Sequence, residues 1–322
     1  MQRRTFALAA VASLAAPWAR AQAVPSGPIR IIVGFAPGGG TDVLARTIAH
    51  KLSLLWNTQV IVENKAGATG VIAAEYVAKQ PGDGKVLLMA HVNSHAIAPA
   101  LMQNVKYDPR QDFAPITLVG VTPNMLTCNE TQPVRTVAGI VDLCRRQPGQ
   151  ISFGSSGTGS AQHLAFEMFR MAAKVQAVHV PYKGSSAMVT DLLGGQINYA
   201  FDTMTAATPY VKQGKVIAVA QTRLKRAKSH PDVPTMAESG FPGFDAASWY
   251  GLVGPRSMPA AMVKRMNQDI NQILAQPDVA DKLEQFGAED AGGSSQKFAD
   301  FIVSENTKWT KVIKDAGVRA DS

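Results

Sequence analysis

The chain has 322 residues and a formal net charge of +8. Three of its arginines, Arg3, Arg4 and Arg20, fall in a removable leader, so the mature protein is only mildly basic. Its densest positive run, Arg223, Lys225, Arg226 and Lys228, lacks the interleaved aromatic residues of a single-strand nucleic-acid binder. The length left suits two α/β domains of ordinary size.

Residues 1–23 read as a signal peptide. Arg3 and Arg4 give a positive start, Phe6 to Ala16 an apolar core, and Ala19-Arg20-Ala21 or Ala21-Gln22-Ala23 a small-residue cleavage site. The core is too short for a stable membrane span. Arg3-Arg4-Thr5-Phe6 suits twin-arginine as well as ordinary export. No later segment reads as transmembrane, so the mature chain is expected in the periplasm.

The first folded element is a β-branched run, Ile29–Val33, followed by the loop FAPGGGTD (35–42) and a helical pattern through Leu44, Ile48, Leu52 and Leu55. Thr41 or Asp42 is placed to cap the first helical turn. A strand, a glycine loop and a helix start in this order aim backbone N–H groups and a helix dipole at one point, which attracts an anion. Glycine at position 39 permits close approach and positive φ. A dinucleotide fingerprint from Gly38 needs glycine where Val43 stands, and a P-loop needs a lysine that is absent between Arg30 and Lys51.

Further strands are expected at Gln59–Glu63, Val86–Ala90, Ile116–Val121, Met125–Asn129, Ile151–Phe153, Val175–Val180, Gln196–Phe201, Val216–Gln221 and Trp249–Val253. Helical stretches alternate with them at Val71–Lys79, Val137–Arg146, Ala161–Ala173, Ala187–Leu193 and Ala206–Lys212, and the chain ends in helices at 260–274, 279–286 and 296–316. Such alternation implies mostly parallel sheets with helices on both faces. Cys128 and Cys144 are a candidate disulfide in an oxidising compartment, against the alternative of two buried thiols.

A second glycine stretch, FGSSGTGS (153–160), again joins a strand to a helix, and adds the hydroxyls of Ser155, Ser156, Thr158 and Ser160. A third junction, Pro181 to Ser186, carries Tyr182 and Lys183. The following strand runs to Asp202. In open α/β sheets ligands bind beyond the carboxyl ends of strands.

The stretches FAPGGGTD (35–42), VENKAGATG (62–70), YDPRQDFAPIT (107–117), FGSSGTGSAQHLA (153–165), VPYKG (180–184), DLLGGQI (191–197) and PDVPTMAESGFPGF (231–244) together resemble the substrate-binding proteins of the tripartite tricarboxylate transporter family, the Bug type. The resemblance implies a two-lobed periplasmic binding fold, type II-like, with a ligand cleft between lobes and two chain crossings. One lobe is expected from residues 24–123 with 248–322 and the other from 124–247. It also implies a small carboxylate ligand (a carboxylic acid, amino acid or aromatic acid) and delivery to the membrane components of a transporter, by a monomer with no cofactor. The residues it points to are Phe35, Gly39, Thr41 and Asp42 in one lobe and Ser156, Thr158, Tyr182 and Asp202 in the other, with His91 and Ser94 as additions. The site so drawn contains no arginine. Met125–Cys128 and Cys144 depart from the family's usual pattern.

Two other classes compete. A hydrolase would use Ser156, His163 and Asp202, but the Gly-x-Ser-x-Gly elbow is missing and His163 lies within a helix, where a core or capping role suits it better. A sensor for a membrane signalling partner would use the same cleft. A metal site at His91 and His95 finds no third ligand nearby, and none is expected.

Overall fold

The computed structural model describes residue 25 and residues 27–319. The expected signal peptide, 1–23, lies outside the described residues. β1 (Ile29–Val33) leads through the first glycine loop into α1 (Gly40–Trp56), β2 (Val60–Asn64), a tight turn at Ala68–Gly70, α2 (Val71–Ala78) and β3 (Val86–His91). A π turn, Asn93–Ile97, continues into α3 (Ala98–Leu101), and then comes the long β4 (Phe113–Asn129). Next are α4 (Val137–Arg146), β5 (Ser152–Ser155), α5 (Ala161–Ala173), β6 (Val178–Pro181), α6 (Ser185–Leu193), β7 (Tyr199–Thr203), α7 (Met204–Lys212) and β8 (Val216–Gln221). β9 (Ala247–Pro255), α8 (Ala260–Leu274), α9 (Pro277–Gln285) and α10 (Ser295–Ala316) complete the chain.

The strands run in the order β2-β1-β3-β9-β4-β7-β5-β6, with β8 also on β4. β1 is parallel to β2 and β3, and β5 is parallel to β6 and β7, so two parallel βα assemblies are joined through antiparallel β4 and β9. This is a two-lobed α/β fold. The carboxyl ends of β1, β3, β5, β6 and β7 carry the loops that the sequence singles out.

β4 corrects the sequence reading, which breaks it into two strands at Pro123. The strand is continuous, and it changes partners there: it pairs with β9 as far as Pro123↔Ala247, then with β7 and β8 from Asn124 and Met125 onward. Proline lacks an N–H, so it is tolerated where the ladder is handed from one partner to the next. Asn124 takes over the bonding, its N–H donating to Thr222 Oγ1 at 2.8 Å and its side chain to the Ala246 carbonyl at 2.7 Å.

The expected disulfide is also corrected: Cys128 and Cys144 are free thiols, both buried in the core. Burial pushes each thiol up to about 11, so both remain protonated and unreactive.

α10 ties the two assemblies together. Phe298, Ile302, Trp309 and Ile313 recur along one face and are buried against β4, the π turn and α5. Each such side chain contributes about 1.5–3 kcal/mol of hydrophobic stabilisation. Gly251 makes room for this helix, since a Cβ there would stand 2.1 Å from the Phe298 ring.

Candidate ligand-binding site

The first glycine loop is shaped by three glycines with three different duties. Gly38 has φ +83, a conformation that favours glycine. Gly39 is the N-cap of α1 with φ −76 and ψ 169, which any residue adopts. Gly40 has no room for a side chain: a Cβ would lie 2.8 Å from the Tyr250 hydroxyl and 3.0 Å from Thr205. The expectation that position 39 needs glycine for a positive φ is therefore corrected. Its own Cβ would meet only the Ala36 carbonyl, at 3.7 Å.

The expected cap is corrected too. No side chain caps α1, and Thr41 and Asp42 lie inside the helix. The Asp42 carboxylate instead accepts bonds from the Gly38 N–H at 3.0 Å, from Arg46 at 2.9 Å and from the Asn64 amide at 2.9 Å. Burial pushes its carboxyl up, but these donors together outweigh burial and hold it below the usual carboxylate range. Asn64 also donates to the Phe35 carbonyl at 2.9 Å. Asp42 thus fastens the loop, and the first-turn N–H groups of α1 remain without a side-chain acceptor.

Aromatic rings wall the loop. His91 lies between Phe35 and Tyr250, with ring centroids 4.9 and 5.1 Å away. It is buried, and burial, with His95 adding to it, pushes its imidazole down to about 3, so it is neutral. Its Nδ1 accepts the Asn93 N–H at 3.1 Å, leaving the proton on Nε2. Ser94 is turned inward: its hydroxyl lies 3.2 Å from the His91 carbonyl and 3.0 Å from His95 Nδ1. Gly70 packs on both Ser94 and Phe35.

The second glycine loop is built differently, because most of its own donors are consumed within the protein. Gly157 N–H bonds Ser155 Oγ, Gly159 N–H bonds His163 Nδ1, Ser160 N–H bonds the Gly157 carbonyl, and Ala161 N–H bonds Asn93 Oδ1. The Ser160 hydroxyl caps α5 at the His163 N–H, and the Ser156 hydroxyl donates to Gln162 at 3.0 Å. Beneath the loop His163 stacks on His179, with centroids 3.8 Å apart and planes at 9°, and His179 Nε2 is 2.7 Å from Ser155 Oγ. Burial, reinforced by His163, pushes His179 down to about 3. The Ala161–Asn93 bond and the fit of Gly159 against Leu101 join this loop to the loop after β3.

Asp202 and Tyr182 lie beside that second loop, on β7 and after β6. Tyr182 N–H bonds the Ser155 carbonyl, and its hydroxyl donates to Asp191 at 2.8 Å. Asp202 is buried at the end of β7, with Oδ1 accepting from the Ser185 hydroxyl at 2.6 Å and the Thr203 N–H at 2.8 Å. Ser185 is the first residue of α6, whose N-cap, Gly184, also supplies no side-chain cap. Asp202 is near enough to Tyr250 for its charge to raise the phenol's pKa. The start of α1 therefore packs on Tyr250 and on Thr205 of α7, the helix that directly follows β7, and Asp202 of β7 in turn holds the start of α6.

Ser156, His163 and Asp202 take Gln162, Gly159 and Ser185 as partners rather than one another, so these three residues do not form a triad. Among the described residues no cluster of three His, Cys, Asp or Glu side chains is placed to hold a metal. What the arrangement does offer is two uncapped helix starts and an aromatic, uncharged wall. Sequence reasoning missed Tyr250, Asn93, Asn64 and Arg46, whose roles depend on contacts from distant elements.

A family profile described as the tripartite tricarboxylate transporter family receptor matches residues 44–318. The chain belongs to that receptor family. BugT of Bordetella pertussis (strain Tohama I) is 32% identical to this receptor-family chain over 311 residues, 96% of it and 95% of BugT. The solved structure of R. palustris Rpa4515 with adipate matches it at TM-score 0.88 and 35% identity, covering 92% of this chain and 99% of that one. MatC from Rhodopseudomonas palustris with bound malate matches at TM-score 0.83 and 29% identity, over 90% of this receptor and 99% of MatC.

Proposed function

We propose that this receptor captures a small carboxylate in the periplasm, between lobes that divide near Pro123 and Ala247, and delivers it unchanged, as a monomer, to the membrane components of its transporter. The observation that carries this reading is the pair of uncapped helix starts, α1 packed on Tyr250 and Thr205, and α6 held by Asp202. Free N–H groups at a helix start attract anions without a charged side chain. Of the neighbouring cations, Arg46 is bound by Asp42 and Asn64, and Lys183 is exposed to solvent. The adipate and malate held by the two structural relatives are ligands of that chemistry. Phe35, Gly39 and Thr41 serve from the first loop, His91 and Ser94 shape the wall, Asp42 anchors it, and Ser156, Thr158 and Tyr182 form the opposite rim.

The test is thermal melting of the mature protein with a panel of small carboxylates, adipate and malate among them. A ligand at about 100 times its Kd adds about 2.7 kcal/mol of stability. At least one carboxylate should raise the melting temperature and be recovered chemically intact. No shift with any carboxylate, or turnover lost in Ser156→Ala, would contradict the reading.

A further inference from the structure

The two oxygens of Asp202 are unequal. Oδ1 accepts both available donors, the Ser185 hydroxyl and the Thr203 N–H, while Oδ2 is buried with no partner at all. The residue is 1% exposed. A buried ionised oxygen without a donor is strongly disfavoured, whereas a carboxylic acid suits this pattern: the carbonyl oxygen accepts, and the hydroxyl points to an acceptor yet to arrive. The orphan belongs to the side chain that holds Ser185 at the uncapped start of α6, three residues before the Thr205 on which the start of α1 packs, where the proposed ligand's carboxylate would sit.

We propose that Asp202 meets the ligand as an acid, its Oδ2–H donating to a ligand carboxylate oxygen, so that above the free acid's own titration the protein takes up a proton with each carboxylate bound. This rests on the carboxylate reading above. It supplies a charge-compensating donor where no free arginine stands. The other groups facing β7 do not substitute for it. Tyr250 of β9 is itself held protonated by burial. The Tyr182 hydroxyl is spent on Asp191 of α6, and the stacked His163 and His179, with Glu167 and Arg170, bond within the second loop and α5. β4 and α7 present Asn124, Thr127, the protonated Cys128 and Thr205.

Burial pushes the Asp202 carboxyl up to about 7, although the Ser185 and Thr203 bonds pull it down. An anion beside it raises it further. The sign follows: the acid is present below that value and is lost above it, so affinity falls as pH rises.

The experiment is calorimetric titration of adipate or malate into wild type, Asp202→Asn and Asp202→Leu from about pH 7 to about pH 9, in buffers of differing ionisation enthalpy. Wild type should take up close to one proton per ligand near pH 9 and lose about tenfold in affinity per pH unit above its titration. Asp202→Asn, which keeps an acceptor and a donor in place, should bind with no pH slope and no proton uptake. Asp202→Leu, folded by circular dichroism, should lose about thirtyfold or more, as expected for a lost hydrogen bond to a charged group. Carboxylate binding near pH 9 without proton uptake, binding with proton release, or the same pH slope in Asp202→Asn overturns the proposal and leaves the carboxylate reading intact. Failure of wild type to bind adipate, malate or any other carboxylate of the melting panel from about pH 7 to about pH 9 overturns both.

Discussion

Gly40→Val should abolish ligand binding, with an affinity loss of about 100-fold or more, equivalent to about 2.8 kcal/mol. The cause is steric. Position 40 is the first residue of α1, and the new Cβ would stand 2.8 Å from the Tyr250 hydroxyl and 3.0 Å from Thr205. Tyr250 is 1% exposed and pressed against His91, so it has no free direction of retreat. The helix start must back away, and its N–H groups then leave their place beside Tyr250 and Thr205. Overpacking of this kind costs about 1–3 kcal/mol of stability, a fall of several degrees in melting temperature for a chain of this size. Gly39→Ala is the control. Its Cβ meets only the Ala36 carbonyl at 3.7 Å and its φ is ordinary, so folding and binding should stay within about twofold of wild type. Calorimetry on the two variants, each checked for folding by circular dichroism, separates them. Equal losses at positions 39 and 40 would mean that the loop responds to glycine content and not to the space beside Tyr250.

Gly184→Ala should weaken binding by about tenfold or more for the opposite reason, since its effect is purely conformational. A Cβ at Gly184 meets nothing within 4 Å, but the residue has φ +114 and ψ 169, a region almost closed to residues with a side chain. The strain, on the order of 1–3 kcal/mol, is relieved by rotating the backbone just before Ser185. That rotation moves the uncapped start of α6 and the Ser185 hydroxyl that holds Asp202. The fold should survive, because α6 still buries Met188, Val189 and Leu192. Titration of the variant at matched pH reads the loss. Wild-type affinity would show that the start of α6 plays no part in capture.

Much of this architecture is legible in the amino-acid sequence because periodicity survives translation into burial. The ranges expected for α4, α5 and α8 coincide with the helices observed, since Val137, Ile140, Val141 and Cys144, or Met266, Ile270 and Ile273, sit at spacings that only one helix face satisfies. The strand before the first loop is legible for the same reason, as a short β-branched run between breakers. β4 is not, because Pro123 reads as a strand breaker until its place at the exchange of partners is known. β7 begins at Tyr199 rather than Gln196, since the Gly194-Gly195 turn extends further than composition shows.

The candidate site is less legible than the fold. Three consecutive glycines carry identical letters, and nothing local says that one bends the chain, one is neutral and one makes room for Tyr250. The second loop resembles the first in composition, yet its N–H groups are met by Ser155, His163 and Asn93, partners that no local spacing announces. Asp42 and Asp202 look alike as acids at the edges of loops. The first is ringed by donors and ionised, whereas the second is left with a bare oxygen, and that difference arises from Arg46 and Asn64 on one side and a buried sheet end on the other.

The most direct test is amide nuclear magnetic resonance of the mature protein titrated with adipate or malate, up to saturation of any thermal shift. The account predicts downfield amide-proton shifts at Gly39, Gly40 and Thr41 and at Ser185 to Ala187, larger than those at Gly157, Gly159 and Ala161, whose N–H groups are already bonded. If the amides at the starts of α1 and α6 stay in place while the Arg46 or Lys183 side-chain signals shift, the ligand is held by ordinary ion pairing and capture between two helix starts is wrong.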